Sequence, residues 1–451
     1  MNRRELLLSA ALAGLTGPLR SVAHSDETKV PTSTHEDEVL WTRRVPVKWD
    51  VDIAIIGAGM AGISAALSAA RSGMRVLLVE RFAIAGGMLT TGGVSNFCGE
   101  MTGQGEVFDA IVEALHAWNA IGHERPSVFH YEILAIVLQE LLLKRSVKVL
   151  FHTSFVDARE QDGRVTEIIL RSKSGPEAVR ARLFIDCTGD ADLARALNFS
   201  VFKGRAADGL QLPMSMMYFV RHVTGTPPVP RAPEGWFKRL ENETDLPMTS
   251  VWPDGPDGNA IKIKIPMYDA TDTESLTAAE IQGRRRMCEV MDYHQRVEGK
   301  PWMLDHCSPT IGIREGARIE GDYVLQVDDL RAGRTFDDGI ARGTFYLDGH
   351  KPDDDKRTYI LPQDELEVPP YQIPLRSLIA RDGKNLLMAG RCFSCDQLAL
   401  SSARVSTTCS MMGQAAGITA ALAVQQGCDV RDVAPAEVRR IVLERGAILD
   451  V

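Results

Sequence analysis

The stretch from Asp52 to Glu80 limits what this chain can fold into more than any other. Asp52-Ile53-Ala54-Ile55-Ile56 is short, apolar and rich in β-branched residues, as a buried parallel strand is. It runs directly into Gly57-Ala58-Gly59-Met60-Ala61-Gly62, and an alanine-rich helical segment follows from about Gly62 to Ser72. Gly73 ends that segment, and Met74 to Val79 is a second strand closed by Glu80. A glycine fingerprint alone is weak evidence. Strand, fingerprint, helix, second strand and terminal acid in this order specify a βαβ unit that holds a dinucleotide.

Each position has a physical task. Gly57 permits the tight turn, Gly59 leaves the backbone open to a pyrophosphate, and Gly62 lets the helix pack closely on the strand. The phosphates belong at the helix N-terminus, by Met60 and Ala61, where free N–H groups and the helix dipole favour negative charge. Glu80 is placed to accept hydrogen bonds from both ribose hydroxyls, and its charge disfavours a 2′-phosphate. An NAD-binding chain would continue into another βα unit. Here Arg81 leads into Gly86-Gly87-Met88 and Gly92-Gly93, which reads as backbone wrapped along a longer cofactor, FAD. The alternative is a surface loop.

With 451 residues, 45% of them hydrophobic, the chain can bury a core spread over two or three lobes. A net charge of -9 and scattered Arg and Lys argue against nucleic acid as a partner. Eight cysteines in so long a chain make no disulfide scaffold, and no Cys/His cluster has metal-site spacing. At the start, Arg3-Arg4 precedes an apolar run from Leu6 to about Leu19 and then Ser21-Val22-Ala23. Residues 1–23 thus read as a twin-arginine signal peptide and an exported protein, the alternative being an untidy cytoplasmic N-terminus. The run is too short and too interrupted for a stable membrane span. Residues 24–48 are polar and read as a linker.

Further along, Ala181 to Ala194 holds Cys187-Thr188-Gly189-Asp190, and Ile311 to Tyr323 holds Arg314-Glu315 and Arg318. Tyr371 to Leu378, Asn385 to Arg391 and Gly413 to Gly417 form a last block. With these, the chain from about Asp52 to about Gln426 resembles the FAD-dependent oxidoreductases of the glutathione-reductase-like superfamily. Within them it is most similar to a secreted or cytosolic group. The resemblance implies an α/β fold. A Rossmann-type FAD-binding domain, with a parallel sheet and flanking β-hairpin elements, would span 49–199 and 356–451. An α+β substrate domain, 200–355, would be inserted in it. It further implies that Thr188, Gly189 and Asp190 lie beside the cofactor, and that Gly390-Arg391 and Gly413 return to it. Phe155 and Val156 would touch the adenine by backbone. The family at large often has Gly-Asp where this chain has Gly390-Arg391.

The residues agree. Val147 to Phe155 and Val165 to Ser172 alternate as strands around Gln161-Asp162-Gly163-Arg164, Ala260 to Met267 reads as a strand, and Thr277 to Val297 as a charged helix. A small-residue helix from about Ser402 to Val424 either faces the flavin with its N-terminus or simply packs well.

In a flavoprotein the protein supplies orientation, a proton acceptor and electrostatics. His350, in a loop-like stretch, is the candidate base, or a loop histidine without a role. Arg314 and Arg318, one helical turn apart, either bind an anionic substrate, stabilise reduced flavin, or form a structural salt bridge. Arg391 and Arg404 are further cations expected near the cofactor. Cys392-Phe393-Ser394-Cys395 raises a rival, a flavin-linked dithiol/disulfide oxidoreductase. Such enzymes carry their cysteines close behind the first nucleotide motif, with a second glycine fingerprint, and neither occurs here. That favours packing. Cys98 is where a covalent flavin link would be sought. The expected activity is oxidation or reduction of a small organic substrate, electrons passing to a further acceptor; a non-catalytic FAD-binding protein is the other reading. Exchanging Arg3 and Arg4 for lysine should hold the protein in the cytoplasm on cell fractionation; undiminished export would refute the twin-arginine reading.

Overall fold

The apolar run at Asp52 becomes strand β1 (Val47–Ile56), whose last four residues are buried. It starts earlier than expected because its outer half is paired too, Val47 standing opposite Ala178. A computed structural model describes residues 41–122, 125–223, 233–356 and 358–451. The expected leader, 1–23, and most of the expected linker lie outside the described residues.

Helix α1 (Met60–Arg71) follows the glycine turn, and β2 (Val76–Val79) returns parallel to β1. Helices α2 (Glu106–Ala117) and α3 (Tyr131–Lys144) precede β3 (Lys148–Leu150), which adds a parallel strand beside β2. Strands β4 (Ser154–Gln161), β5 (Arg164–Ser172) and β6 (Gly175–Asp186) form an antiparallel meander. The alternation from Val147 to Phe155 is therefore two strands, not one. The break falls at His152, whose φ is 51° and whose amide donates to the Phe82 carbonyl.

The first half of β6 pairs with β5, while its length runs parallel to β1. After α4 (Asp192–Ala196) and β7 (Val201–Lys203), a second sheet forms from β8 (Met214–His222), β9 (Thr249–Pro253), β10 (Gly258–Ile265) and β11 (Trp302–Cys307). Its order is β11-β8-β10-β9, all antiparallel. Helix α5 (Thr273–Arg296), capped by Asp272 on the Ser275 amide, packs on β8 and β10. Period-two patterning splits this sheet's faces. Met214, Met216, Tyr218, Ile261, Ile263 and Ile265 enter a core with α5, leaving Ser215, Met217 and Lys262 on the other side.

The chain then returns through β12 (Ala317–Ile319), paired with β7, α6 (Val327–Arg331), and the pair β13 (Gly339–Gly343) and β14 (Tyr371–Pro374). Strand β15 (Leu386–Met388) lies parallel to the last residues of β6, where β5 has left that edge free. Among the described residues the main sheet is mixed, with a parallel part β3-β2-β1-β6-β15 and the meander beside it. Helices α7 (Gln397–Ala403), α8 (Ser406–Gln426) and α9 (Pro435–Glu444) end the chain. The single helix expected over 402–424 is thus broken at Arg404-Val405.

Helix α8 is buried from Thr407 to Val424 and packs against α1. The two approach at backbone distance: a Cβ on Gly413 would lie 2.1 Å from the Ala61 carbonyl oxygen, and one on Gly417 2.3 Å from that of Ala65. The Ser64 and Ser410 hydroxyls meet at 2.8 Å in the same seam. Among the described residues no helix is long and apolar enough to cross a membrane. Gly417→Val should destabilise the protein by about 1–3 kcal/mol through overpacking, read as a lower urea midpoint; an unchanged midpoint would contradict so close a crossing.

Candidate active site

The glycine loop after β1 is shaped by contacts that admit no side chain. Gly57 has a φ of +97°, and a Cβ there would lie 2.4 Å from the Cys187 carbonyl at the end of β6. At Gly62 a Cβ would strike the Gly57 carbonyl at 1.9 Å. Gly59 is different: its backbone is ordinary (φ -72°) and a Cβ would meet nothing within 4 Å. The space beside it is the cavity. Helix α1 opens there with no side-chain cap and no acid in its first turn, so its leading N–H groups are left for a ligand.

Glu80, buried at the end of β2, accepts from the Ala58 amide at 2.8 Å and the Phe82 amide at 2.9 Å. Its carboxylate is thereby fixed at the cavity, with lone pairs to spare. The second glycine stretch comes back over the first. The Gly86 amide donates to the Ala58 carbonyl at 2.8 Å, Gly86 bridges Gly59, and its φ of +115° makes that turn possible. On the far side, Asp186 accepts from the Thr188 amide (3.0 Å), the Thr188 hydroxyl (2.8 Å) and the Leu193 amide (3.0 Å), holding the Thr188-Gly189 corner.

These parts enclose a cavity of about 390 Å³. Of the residues expected from sequence, Gly57, Gly59, Met60, Ala61, Glu80, Arg81, Gly86, Gly87, Met88, Phe155, Thr188, Gly189, Arg314, Gly390 and Arg391 line it. Gly62 and Gly413 do not; both are spent on close packing around α1. Val156 points outward, 53% exposed. Asp190 stands behind the wall, 3.4 Å from Arg391 and 3.8 Å from Arg81.

His350 also stands back. It is buried, and its Nε2 lies 2.9 Å from Oδ1 of Asp348, which does line the cavity. Burial, and then the Arg314 charge, push the imidazole down to about 3, so the neutral ring donates Nε2–H to Asp348. Burial alone would raise the Asp348 carboxyl; the His350 hydrogen bond and the Arg404 charge outweigh it and hold it below the ordinary carboxylate range. Asp348 in turn accepts from Arg404 at 2.8 Å.

Arg314 and Arg318 do not share a helix: Arg318 is in β12, and Arg314 in the loop before it. The expected alternatives divide between them. Arg318 makes a buried ion pair with Glu315 at 2.6 Å, whereas Arg314 lines the cavity. Asn96, Ser215, Met217, Lys262, Asp348, Ser406 and Cys409 are among the further wall residues and were missed from sequence. The one available signal was Asp348, two residues from His350.

The cysteines separate as well. Cys392 and Cys395 are unpaired and fully buried, outside the cavity wall, with Sγ atoms directed to the Asp186 and Phe393 carbonyls at 3.3 and 3.7 Å. Burial drives both thiols well above their ordinary range, the reverse of an exchanging thiolate. Cys98 does line the cavity, but burial and the Asp348 charge raise its thiol too.

The match to a known family identifies the cofactor. The model of the FAD dependent oxidoreductase family matches residues 52–442. The chain belongs to this family. Its cofactor is FAD, and the cavity fits that group: an open cradle at Gly59, an uncapped helix N-terminus, and a fixed acid at Glu80. Arg391 Nε, Arg404 Nε and Ser406 Oγ, all on lining residues, also lack hydrogen-bond partners among the described residues.

No curated protein matches this oxidoreductase. Similar solved structures include the anhydrotetracycline hydroxylase OxyS from Streptomyces rimosus, at 14% identity, 88% of this chain, 66% of that one, and a TM-score of 0.45. A geranylgeranyl bacteriochlorophyll reductase-like protein from Thermoplasma acidophilum shows 14% identity over 88% of this chain and 84% of that one, at 0.46. A myxobacterial chondrochloren halogenase shows 13% identity over 88% and 79%, at 0.43.

Because Gly59 has room for a side chain in the protein but borders the cavity, Gly59→Val should separate binding from folding. Flavin content should fall at least about tenfold, while the apoprotein melting midpoint moves by less than about 2 °C. Undiminished flavin would contradict this placement of the cofactor.

Proposed function

We propose that this oxidoreductase exchanges a hydride between FAD and a small organic substrate, with the electrons passing to a second acceptor or to oxygen. One observation carries the reading: a single cavity is lined by the βαβ unit and also by Ser215, Met217 and Lys262 of the second sheet. Bound FAD supplies the redox chemistry. Gly57, Gly59 and the first N–H groups of α1 hold its pyrophosphate, Glu80 its ribose, and Phe155 borders its adenine. Gly390 and Arg391 return to it from β15. Residues 200–355 form the inserted substrate domain, and 49–199 with 356–451 the FAD-binding domain.

The protein's own groups have separate tasks. Arg314 and Lys262 face the substrate. His350 is a positioning residue, holding Asp348 ionised so that Arg404 is fixed at the cavity. We further propose that the chain is an exported, glutathione-reductase-like member of the family; the Arg3-Arg4 leader supports this.

Anaerobic mixing of the flavin-loaded protein with small alcohols, hydroxy acids and amines should bleach the flavin band with at least one of them. The Cys392→Ser, Cys395→Ser double variant should bleach at the same rate. Bleaching by dithiols alone, lost in the double variant, would overturn this reading in favour of dithiol chemistry.

A further inference from the structure

The substrate side of the cavity carries positive charge that the protein does not neutralise. Arg314 is buried, and its Nη1 donates to the Pro213 carbonyl at 2.7 Å and the Ser215 hydroxyl at 2.6 Å. Both acceptors are neutral. Among the described residues no carboxylate comes within ion-pair distance of this guanidinium, and its Nε and Nη2 are uncommitted. Lys262, opposite Met217 in the β8–β10 ladder, lines the same wall, and its ammonium makes neither a hydrogen bond nor an ion pair among the described residues. Arg404 is the third cation, already engaged by Asp348. His350 is neutral, so three cations face one carboxylate.

Burying charge without a partner is costly, and buried charges are normally paired. The strain of this arrangement is visible in the groups themselves. Burial, and then the Arg314 charge, bring the Lys262 ammonium down to about 8, although Asp348 and Cys98 oppose this. Burial and the Arg404 charge lower Arg314 to about 10. An anion brought in from outside would relieve both. A planar carboxylate suits the free edge of a guanidinium, with a lysine as the adjoining point charge.

We propose that Arg314 and Lys262 form the binding site for the carboxylate of an organic-acid substrate. This rests on FAD occupying the rest of the cavity. The placement separates the two ligands. Lys262 comes from the second sheet and Arg314 from the segment that hydrogen-bonds to it through Ser215 and Gly312. The cofactor has its own electropositive features in the uncapped starts of α1 and α8. The free acid would be preferred to its ester or amide, and oxidation would fall on a carbon near the carboxylate.

The test uses the full flavin-loaded protein and a panel of carboxylates from formate to phenylacetate, each paired with its amide, at constant ionic strength. Binding is read by flavin difference spectra and by thermal stabilisation. At least one acid should bind and stabilise at least about tenfold more tightly than its amide. Lys262→Gln and Arg314→Gln should each abolish that preference while flavin content and midpoint potential hold. Lys262→Gln removes no side-chain hydrogen bond or ion pair among the described residues, so it reports even where Arg314→Gln fails to fold. No acid binding, or acid and amide binding alike, would overturn the proposal. So would variants that lower the flavin midpoint potential with acid binding intact, because the cations would then serve reduced cofactor. Failure of the FAD reading is separate: the protein would carry no flavin, and acid-selective stabilisation alone would decide the carboxylate site.

Discussion

Helices α1 and α8 cross so closely that two glycines of one lie on carbonyl oxygens of the other. Nothing larger fits at Gly413 or Gly417, and the Ser64 and Ser410 hydroxyls pair with each other across the seam. The crossing falls at Ala61 and Ala65, the N-terminal half of α1, so the start of α8 is carried to the same cavity that α1 opens onto. Two helices without side-chain caps thus present N–H groups to one space. A larger residue in the seam would part them and widen the cavity where the two helices open onto it.

Around that seam the main sheet and the second sheet each give residues to the cavity wall. Strand β6 pairs with β1 along its length and frees its far edge for β15, which brings Gly390 and Arg391 beside the glycine loop. Strands β8 and β10 commit one face to an apolar core with α5 and lay Ser215, Met217 and Lys262 against the cavity with the other. The two walls differ in electrostatic character. The wall around the glycine loop offers backbone N–H groups with Glu80, Asp192, Arg81 and Arg391; the second sheet offers Lys262, which lines the cavity together with Arg314, Arg404 and the carboxylate of Asp348.

The βαβ unit was readable because its demands are local. Gly57, Gly59, Gly62 and Glu80 sit at spacings set by one turn, one helix and one strand end. Gly62 packs as its place in the fingerprint implies, whereas Gly413, expected to return to the cofactor, meets the Ala61 carbonyl instead; a glycine that admits a ligand and one that admits a backbone look alike in sequence. The break between α7 and α8 has no glycine or proline to mark it: Arg404 is a good helix former, and Ser401, Ser402, Ser406, Thr407 and Thr408 around it are middling ones that do not single out one stopping point. Lys262 was hidden by the alternation of its own strand. In Ile261-Lys262-Ile263-Lys264-Ile265 the lysine face reads as solvated, and only the packing of α5 on the isoleucine face shows that it turns inward. His350 drew attention as a base, yet tertiary contacts place it behind Asp348. Long-range neighbours such as Asp348 and Arg404 are brought together by the returning chain, which no local spacing encodes.

The visible absorption spectrum of the purified protein, taken before and after denaturation and filtration, tests the central claim most directly. The account predicts a flavin spectrum that is protein-bound at first and passes the filter after unfolding, identified as FAD rather than a shorter flavin. A colourless protein that stays so after incubation with FAD would contradict it.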